Sequence, residues 1–186
     1  VTYLAEQGAD FAALDYLGNT PLYTAALYGY LKLVRYFVEH GANLELKDHL
    51  GNTLLYTTVL NKEVALVKYL IEQGADLDVR DDAGNTLLHL VIADNDLELV
   101  KYFVEHGANL KISDATGSTP LHVASWYDHI EIAEYLVDKG ANLEAKEHVG
   151  DPPLYIARFS KYFVVTEDCT SKGAKHKRRS VESQSN

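Results

Sequence analysis

The sequence predicts an all-α solenoid of stacked helix-turn-helix units, and two markers with one common period support that prediction. The first marker is Gly-Ala-Asp or Gly-Ala-Asn, which recurs every 33 residues at 8–10, 41–43, 74–76, 107–109 and 140–142. The second is Gly-Asn-Thr at 18–20, 51–53 and 84–86, followed by Gly-Ser-Thr at 117–119 and a degraded Gly-Asp-Pro at 150–152. A fixed interval of this size indicates repeated units that contact only their neighbours, rather than one globular core.

The first complete unit shows how each element follows from its residues. Residues 15–19, Asp-Tyr-Leu-Gly-Asn, are rich in turn formers and predict a tight turn. Thr20 is then followed by proline, the order of an N-cap and a first helical residue, so a short helix is predicted from Pro21 to Leu27. After a glycine, apolar residues at helical spacing predict a second helix from Leu31 to His40, and Gly41 ends it as a left-handed C-cap.

The same order of elements divides the rest of the chain. It predicts full repeats at 15–47, 48–80, 81–113 and 114–146, with a partial repeat at 1–14 before them. A degenerate final repeat at 147–168 completes a repeat domain of residues 1–168. Residues 169–186 are basic and Ser-rich, and their composition predicts a disordered tail. The apolar face of the first partial unit needs cover, so we expect a monomer unless more repeats or another chain bury that face.

The units resemble the ankyrin repeat. The likeness covers about residues 1–160 and is strongest at Gly117-Ser118-Thr119-Pro120-Leu121-His122, with Gly140-Ala141-Asn142 following the helix pair. The resemblance implies antiparallel helix pairs stacked side by side, with the turns between repeats projecting as β-hairpin fingers. It also implies a curved ankyrin-repeat solenoid with a concave face.

Three groups of residues depart from the ankyrin pattern. Leucine replaces the usual proline at Leu54 and Leu87, which removes preorganisation of the helix start but leaves the fold possible. Tyrosine replaces the usual histidine at Tyr23, Tyr56 and Tyr155. Larger residues replace the usual small pair at 58–59 and 91–92, so we expect wider helix spacing in the second and third repeats.

Charge and cysteine content limit the class of partner and the compartment. The chain has a net charge of −10, and residues 1–168 hold 12 of the 17 basic and 26 of the 27 acidic residues, a net charge of −14. So acidic a domain is not expected to bind nucleic acid. The single cysteine, Cys169, excludes an internal disulfide and fits a reducing compartment. No apolar run approaches the length of a membrane span.

These features lead us to expect an intracellular protein, with the cytoplasm as the expected compartment. The tail segment Lys175–Arg179 leaves a nuclear localisation signal, a contact with an acidic partner and a membrane-surface patch open as alternatives to a solvated tail.

The polar residues predict no catalytic, cofactor or metal site. The histidines recur in register or lie repeats apart, and no Cys/His set has zinc-type spacing. We expect His89 and His122 to hydrogen-bond loop backbone. The aspartates that open each full repeat are expected to cap the turns, and they are Asp15, Asp48, Asp81 and Asp114. We therefore expect no enzymatic activity.

The resemblance implies that a partner contacts the finger tips and the exposed side of the inner helices. By register, the finger series also includes Asn19, Asn52, Asn85 and Ser118. The residues selected as protein-binding are Tyr16, Leu17, Leu27, Tyr28, His49, Leu50, Leu60, Asp82, Asp94, Trp126, Tyr127 and Phe159. Their chemistry predicts two apolar patches on either side of an acidic centre. For Trp126, binding a partner and packing on the adjacent inner helix are both left open.

The sequence therefore predicts a non-enzymatic protein-protein interaction module with an unidentified protein partner. Two alternatives remain. The chain can be a regulatory or targeting segment of a larger protein, such as an adaptor, channel, kinase or secreted effector. It can also be a structural scaffold with no dedicated partner.

Overall fold

The structure, a computed structural model, describes residues 10–153, which fall into two compact units divided between Val79 and Arg80. Unit 1 contains helices α1 (Pro21–Leu27), α2 (Leu31–Glu39), α3 (Leu54–Leu60) and α4 (Val64–Glu72). Unit 2 contains α5 (Leu87–Ala93), α6 (Leu97–Glu105), α7 (Pro120–Trp126) and α8 (Ile130–Asp138).

Helix pairs stack within each unit. In unit 1, α1 packs against α2, α3 packs against α4, and the short helices α1 and α3 contact each other. In unit 2, α5 packs against α6 and α7 packs against α8. The short helices α5 and α7 contact each other, and so do the long helices α6 and α8. The described residues contain no β-sheet, so the predicted all-α solenoid of stacked helix pairs is confirmed.

Threonine begins every short helix, whether or not proline follows it. In unit 1 the backbone N–H of Tyr23 donates to Thr20 Oγ1 at 3.1 Å, and Tyr56 donates in the same way to Thr53. Thr53 is followed by leucine, yet α3 is seven residues long, like α1. A side-chain cap supplies the acceptor that the first helical turn needs, so the loss of proline does not prevent the helix.

The predicted turn-capping role of the aspartates is confirmed. In each turn, Oδ1 accepts hydrogen bonds from the backbone N–H groups two and four residues later, at 2.8–2.9 Å. The expected β-hairpins are reduced to isolated antiparallel bridges, Lys47 with Thr53 and Arg80 with Thr86. The aspartate N–H also donates to the carbonyl four residues later at 3.0 Å in each turn, so backbone and side-chain bonds together make each finger a tight turn.

The larger pairs that replace small residues are fully buried. Thr58 and Val59 are 1% and 5% exposed, and Val91 and Ile92 are 2% and 0% exposed. The Thr58 hydroxyl donates to the carbonyl of Leu55 at 2.9 Å, so its polar atom has a partner in the core. Wider helix spacing in these repeats stays a prediction.

The connection between the two helices of a pair has a backbone feature that the repeat pattern did not predict. Gly29 occupies this position in the first repeat with φ of +68°, whereas the later repeats have Lys62, Asn95 and Asp128 there, with φ of 57–58°. Left-handed backbone is costly for most side chains other than glycine, and asparagine and aspartate tolerate it best. The connection that contains Lys62 therefore has the clearest local strain.

Candidate binding surface

The selected residues that fall in the described region all lie at the surface. Tyr16 is 94% exposed and Leu50 is 69% exposed at the tips of the unit 1 fingers, where Leu17 and His49 are also exposed. Asp82 and Asp94 are exposed in unit 2. Phe159 lies outside the described residues, as do Tyr155 and the tail segment Lys175–Arg179.

Part of the finger series is less accessible than expected. Asn19 is buried, and Asn52, Asn85 and Ser118 are half-buried. Each of them follows the turn glycine, and its backbone N–H bonds the aspartate at the start of the turn. The side chains available at each tip are therefore the two that follow the aspartate.

The inner helices of unit 1 expose an apolar patch at their C-terminal ends. Leu27 and Leu60 are the last residues of α1 and α3, and both are about half exposed. Tyr28 is 65% exposed and stacks on Tyr30, with ring centroids 5.9 Å apart. The repeat register does not single out Tyr30, although it lies two residues from Tyr28. We call Leu27, Tyr28, Tyr30 and Leu60 the unit 1 patch.

Unit 2 forms a groove of about 300 Å³ between its short helices and its turns. The groove brings together apolar, aromatic, amide, hydroxyl, imidazole and carboxylate groups. Its lining residues are Asn85, His89, Leu90, Ala93, Asp114, Ser118, His122, Val123, Trp126, Tyr127 and Glu147. We call it the unit 2 groove.

The aromatic side of the unit 2 groove comes from the end of α7. Trp126 is the last helical residue and Tyr127 is the C-cap, and they are 67% and 53% exposed. The Tyr127 ring stacks on His129 with 5.7 Å between centroids and 12° between planes. If Trp126 packed on a neighbouring helix, the alternative left open above, its ring would be mostly buried. The observed exposure contradicts this alternative.

Two buried histidines form part of the base of the groove. The backbone N–H of Thr86 donates to Nδ1 of His89 at 3.1 Å, and Nε2 lies 3.1 Å from the carbonyl of Ser118. Thr119, His122 and the carbonyl of Asp151 repeat this arrangement. The predicted hydrogen bonding to loop backbone is confirmed. Burial lowers the pKa of both histidines despite their contacts with carbonyls, so both rings are neutral at pH 7.

Asp114 and Glu147 make the unit 2 groove acidic. Burial alone raises the pKa of Asp114, but hydrogen bonds from Thr116 and Ser118 outweigh it and lower the pKa. The Ser118 hydroxyl donates to Oε2 of Glu147 at 3.3 Å. The described residues that line the groove include no lysine or arginine. Its described lining residues therefore include two carboxylates and no cationic side chain, while Arg80, whose charge acts on His89, lies outside the lining.

Backbone hydrogen bonds join successive turns in unit 2. The N–H of Ala115 donates to the carbonyl of Ala83, and His148 donates to Thr116, both at 2.9 Å. An Arg80 guanidinium nitrogen donates to the carbonyl of Ser113 at 2.6 Å. These bonds position the turns that supply Asp114 and Glu147. They link residues about one repeat apart, so the pattern within one repeat could not predict them.

In the described part of the chain, His, Cys, Asp and Glu do not cluster in a way that suits a metal ion. None of the described helices has both the length and the apolar character that spanning a bilayer requires. His40 and His106 each contact the preceding helical turn, with Nδ1 2.7–2.8 Å from the carbonyl of Tyr36 or Tyr102.

Comparison with known proteins gives a family. The family model described as "Ankyrin repeats (3 copies)" matches residues 1–81 and again residues 55–147, which together cover most of the chain. A search of curated proteins finds no match to this chain.

Proposed function

The chain belongs to the ankyrin repeat family, and on that premise we propose that it binds a protein partner through its finger tips and the exposed ends of its inner helices. Ankyrin repeats are generally protein-protein interaction modules and are generally non-enzymatic. The observation that supports a dedicated binding role here is the exposure of Tyr28, Trp126 and Tyr127 in water. Aromatic side chains are enriched in interface hot spots and are costly to leave exposed in groups.

The mechanism we propose is presentation of preformed surfaces. Within each unit, the side chains at the helix ends and turn tips project from backbone that is already capped and hydrogen-bonded. Little ordering of the chain is then needed on association, which lowers the entropic cost of binding. The proposed binding surface comprises the concave face and the tip residues named above, together with Tyr30.

The partner we propose is a protein rather than a nucleic acid, because residues 1–168 have a net charge of −14. An intracellular location, a monomeric state and the absence of catalysis belong to the same proposal. The exposed aromatic residues disfavour a scaffold without a partner, since a purely structural solenoid has no need of them.

The test uses two surface variants of the full chain. One carries Tyr28→Ala and Tyr30→Ala in the unit 1 patch, and the other carries Trp126→Ala and Tyr127→Ala in the unit 2 groove. Proteins captured from lysate by the wild-type chain are purified and their affinity for each variant is measured directly. Circular dichroism and urea unfolding establish that both variants are folded.

We expect at least one surface variant to bind the purified partner ten-fold or more weakly than the wild-type chain. A matched control, Tyr36→Ala on the long helix α2, is expected to change the affinity by less than two-fold. If every partner binds both surface variants and the control with equal affinity, this proposal is wrong. Binding would then involve another face or the residues beyond 153.

A further inference from the structure

From the unit 2 groove we propose that the partner contributes an arginine side chain, which lies against Trp126 and Tyr127 and pairs with Asp114 and Glu147. The inference rests on the proposed function and specifies the chemistry of the partner at one of its two surfaces. It comes from the combination of groups in the groove, because neither the aromatic rings nor the carboxylates alone identify a ligand.

The charge of the unit 2 groove favours a basic occupant. The two carboxylates of the groove face no basic side chain among its described lining residues, and the two lining histidines are neutral at pH 7. An acidic or neutral peptide leaves these carboxylates uncompensated when it excludes water from the groove, which is costly. A cationic side chain compensates them and gains charge-assisted hydrogen bonds. Charge therefore selects a basic occupant.

The aromatic side of the groove distinguishes between the two basic side chains. Indole is the side chain that binds cations best through its ring face, and arginine forms such contacts more often than lysine. The guanidinium group is also planar and less strongly hydrated than an ammonium group, so it can stack on a ring while donating to a carboxylate. Trp126 next to Tyr127, in the same groove as two carboxylates, therefore favours arginine over lysine.

The volume of the groove and the fixed position of its turns suit a single side chain with its flanking residues. A volume of about 300 Å³ lies at the lower end of the range for ligand sites, which suits one side chain and its flanking backbone. The apolar residues Leu90, Ala93 and Val123 line the same groove and can contact aliphatic neighbours of the arginine. The turns that supply the carboxylates are joined by backbone hydrogen bonds, so the acceptors are held in position before binding. The occupant is thus an arginine-bearing segment of the partner, with apolar residues beside the arginine.

The experiment selects random dodecapeptides on phage against the full chain and measures the selected peptides, made without tryptophan, in solution. Trp126 is the only tryptophan of the chain, so its fluorescence reports occupation of this groove directly. We expect the selected peptides to share one arginine at a fixed distance from apolar residues. Replacing that arginine by citrulline, which is neutral and nearly the same shape, is expected to weaken binding at least ten-fold, and replacing it by lysine several-fold.

The chain itself provides matched variants. Glu147→Gln removes one groove charge and is expected to weaken the arginine peptide about ten-fold without affecting the citrulline peptide. Glu131→Gln makes the same change on α8, where the residue is exposed and does not line the groove, and is expected to change affinity less than two-fold. Urea unfolding checks that Glu147→Gln folds, and Asp114→Asn, which keeps an acceptor oxygen for the turn, is the second variant if it does not.

Three results overturn the inference. Selected peptides without a preferred arginine show that the groove binds by apolar contact alone. Equal losses for Glu147→Gln and Glu131→Gln show that only the overall charge of the unit matters. Arginine peptides that bind only when Lys175, Lys177, Arg178 and Arg179 are all replaced by glutamine show that the chain's own tail occupies the groove. In the first two cases a captured partner can still depend on Trp126, so the proposed function is judged separately.

Discussion

The phenol of Tyr23 donates a hydrogen bond to Oδ2 of Asp48 at 2.6 Å and also lies 2.5 Å from the Thr57 hydroxyl. It joins the first repeat to the turn and the short helix of the second. Burial, together with the bond to the carboxylate, raises the pKa of Tyr23 to about 12. Burial opposes ionisation of Asp48, but the bonds from Tyr23, Asn52 and Leu50 outweigh it and lower its pKa. Tyrosine in place of the usual histidine therefore has a defined polar role.

Replacing Tyr23 by phenylalanine is expected to reduce the free energy of unfolding by about 1.5 kcal/mol. The change removes one of the donors to a partly buried carboxylate, and hydrogen bonds to charged groups are the more valuable ones. Urea unfolding at pH 7 measures the effect. Tyr16→Phe, at a tip residue that is 94% exposed, is the control and is expected to be neutral. Equal stability of Tyr23→Phe and the wild-type chain would show that the bond contributes nothing.

Unit 2 is expected to lose stability as the pH falls from about 7 to 5. Burial lowers the folded-state pKa of His89 and His122 below the ordinary value of 6.5, so the unfolded chain binds protons first. The contribution is complete above pH 6.5 and is lost as the pH falls through the folded-state pKa values. Urea midpoints across this range, with NMR titration of the ring protons, measure it.

The control for the pH effect is the variant His89→Gln/His122→Gln, whose urea midpoint is expected to vary less between pH 7 and 5. A midpoint that falls equally in both proteins would assign the pH dependence to other groups.

Lys62→Gly is expected to stabilise the chain by about 0.5–1 kcal/mol. The gain from relieving left-handed backbone at φ of +58° exceeds the entropy that glycine adds to the unfolded chain. Lys62→Ala removes the same side-chain contacts but keeps the backbone strain, so it is the matched control and is expected to give no gain. Thermal unfolding of both variants measures the change in stability. A gain with alanine as large as with glycine would contradict relief of backbone strain as its cause.

Gly84→Ala is expected to destabilise unit 2 by more than about 2 kcal/mol. A Cβ atom at this position would lie 2.7 Å from the backbone nitrogen of Ala115, which donates to Ala83. Gly51→Ala also requires alanine to adopt left-handed backbone, with φ of +81°, but a Cβ atom there would meet nothing within 4 Å. The control is expected to cost only about 1 kcal/mol. Urea unfolding of both variants isolates the close approach, and equal losses would show that it is unimportant.

Local signals predicted the parts of the fold that depend on one repeat. Thr20 before Pro21 indicated the start of α1, and Asp15 indicated the turn that precedes it, because both act within a few residues of themselves. The register of Trp126 left both exposure and packing on the adjacent inner helix open, and the structure places it 67% exposed. Contacts between repeats were not predictable in this way. Arg80 bonds a carbonyl 33 residues later, and a carboxylate in the groove becomes significant only once Trp126 lies beside it.

The turns also determine how readily this chain could acquire a different specificity. Their shape depends on the aspartate side chain, the glycine and backbone atoms, so the tip side chains that follow Asp15 and Asp48 contribute little to it. The fourth turn is an exception, because the Thr116 hydroxyl bonds Asp114. Tyr16 and Leu17 could therefore be exchanged for other residues with small effects on folding, and so could His49 and Leu50. A library varied only at such tips would yield folded chains directed at new targets, since the energy that shapes each turn and the energy available for recognition come from different atoms.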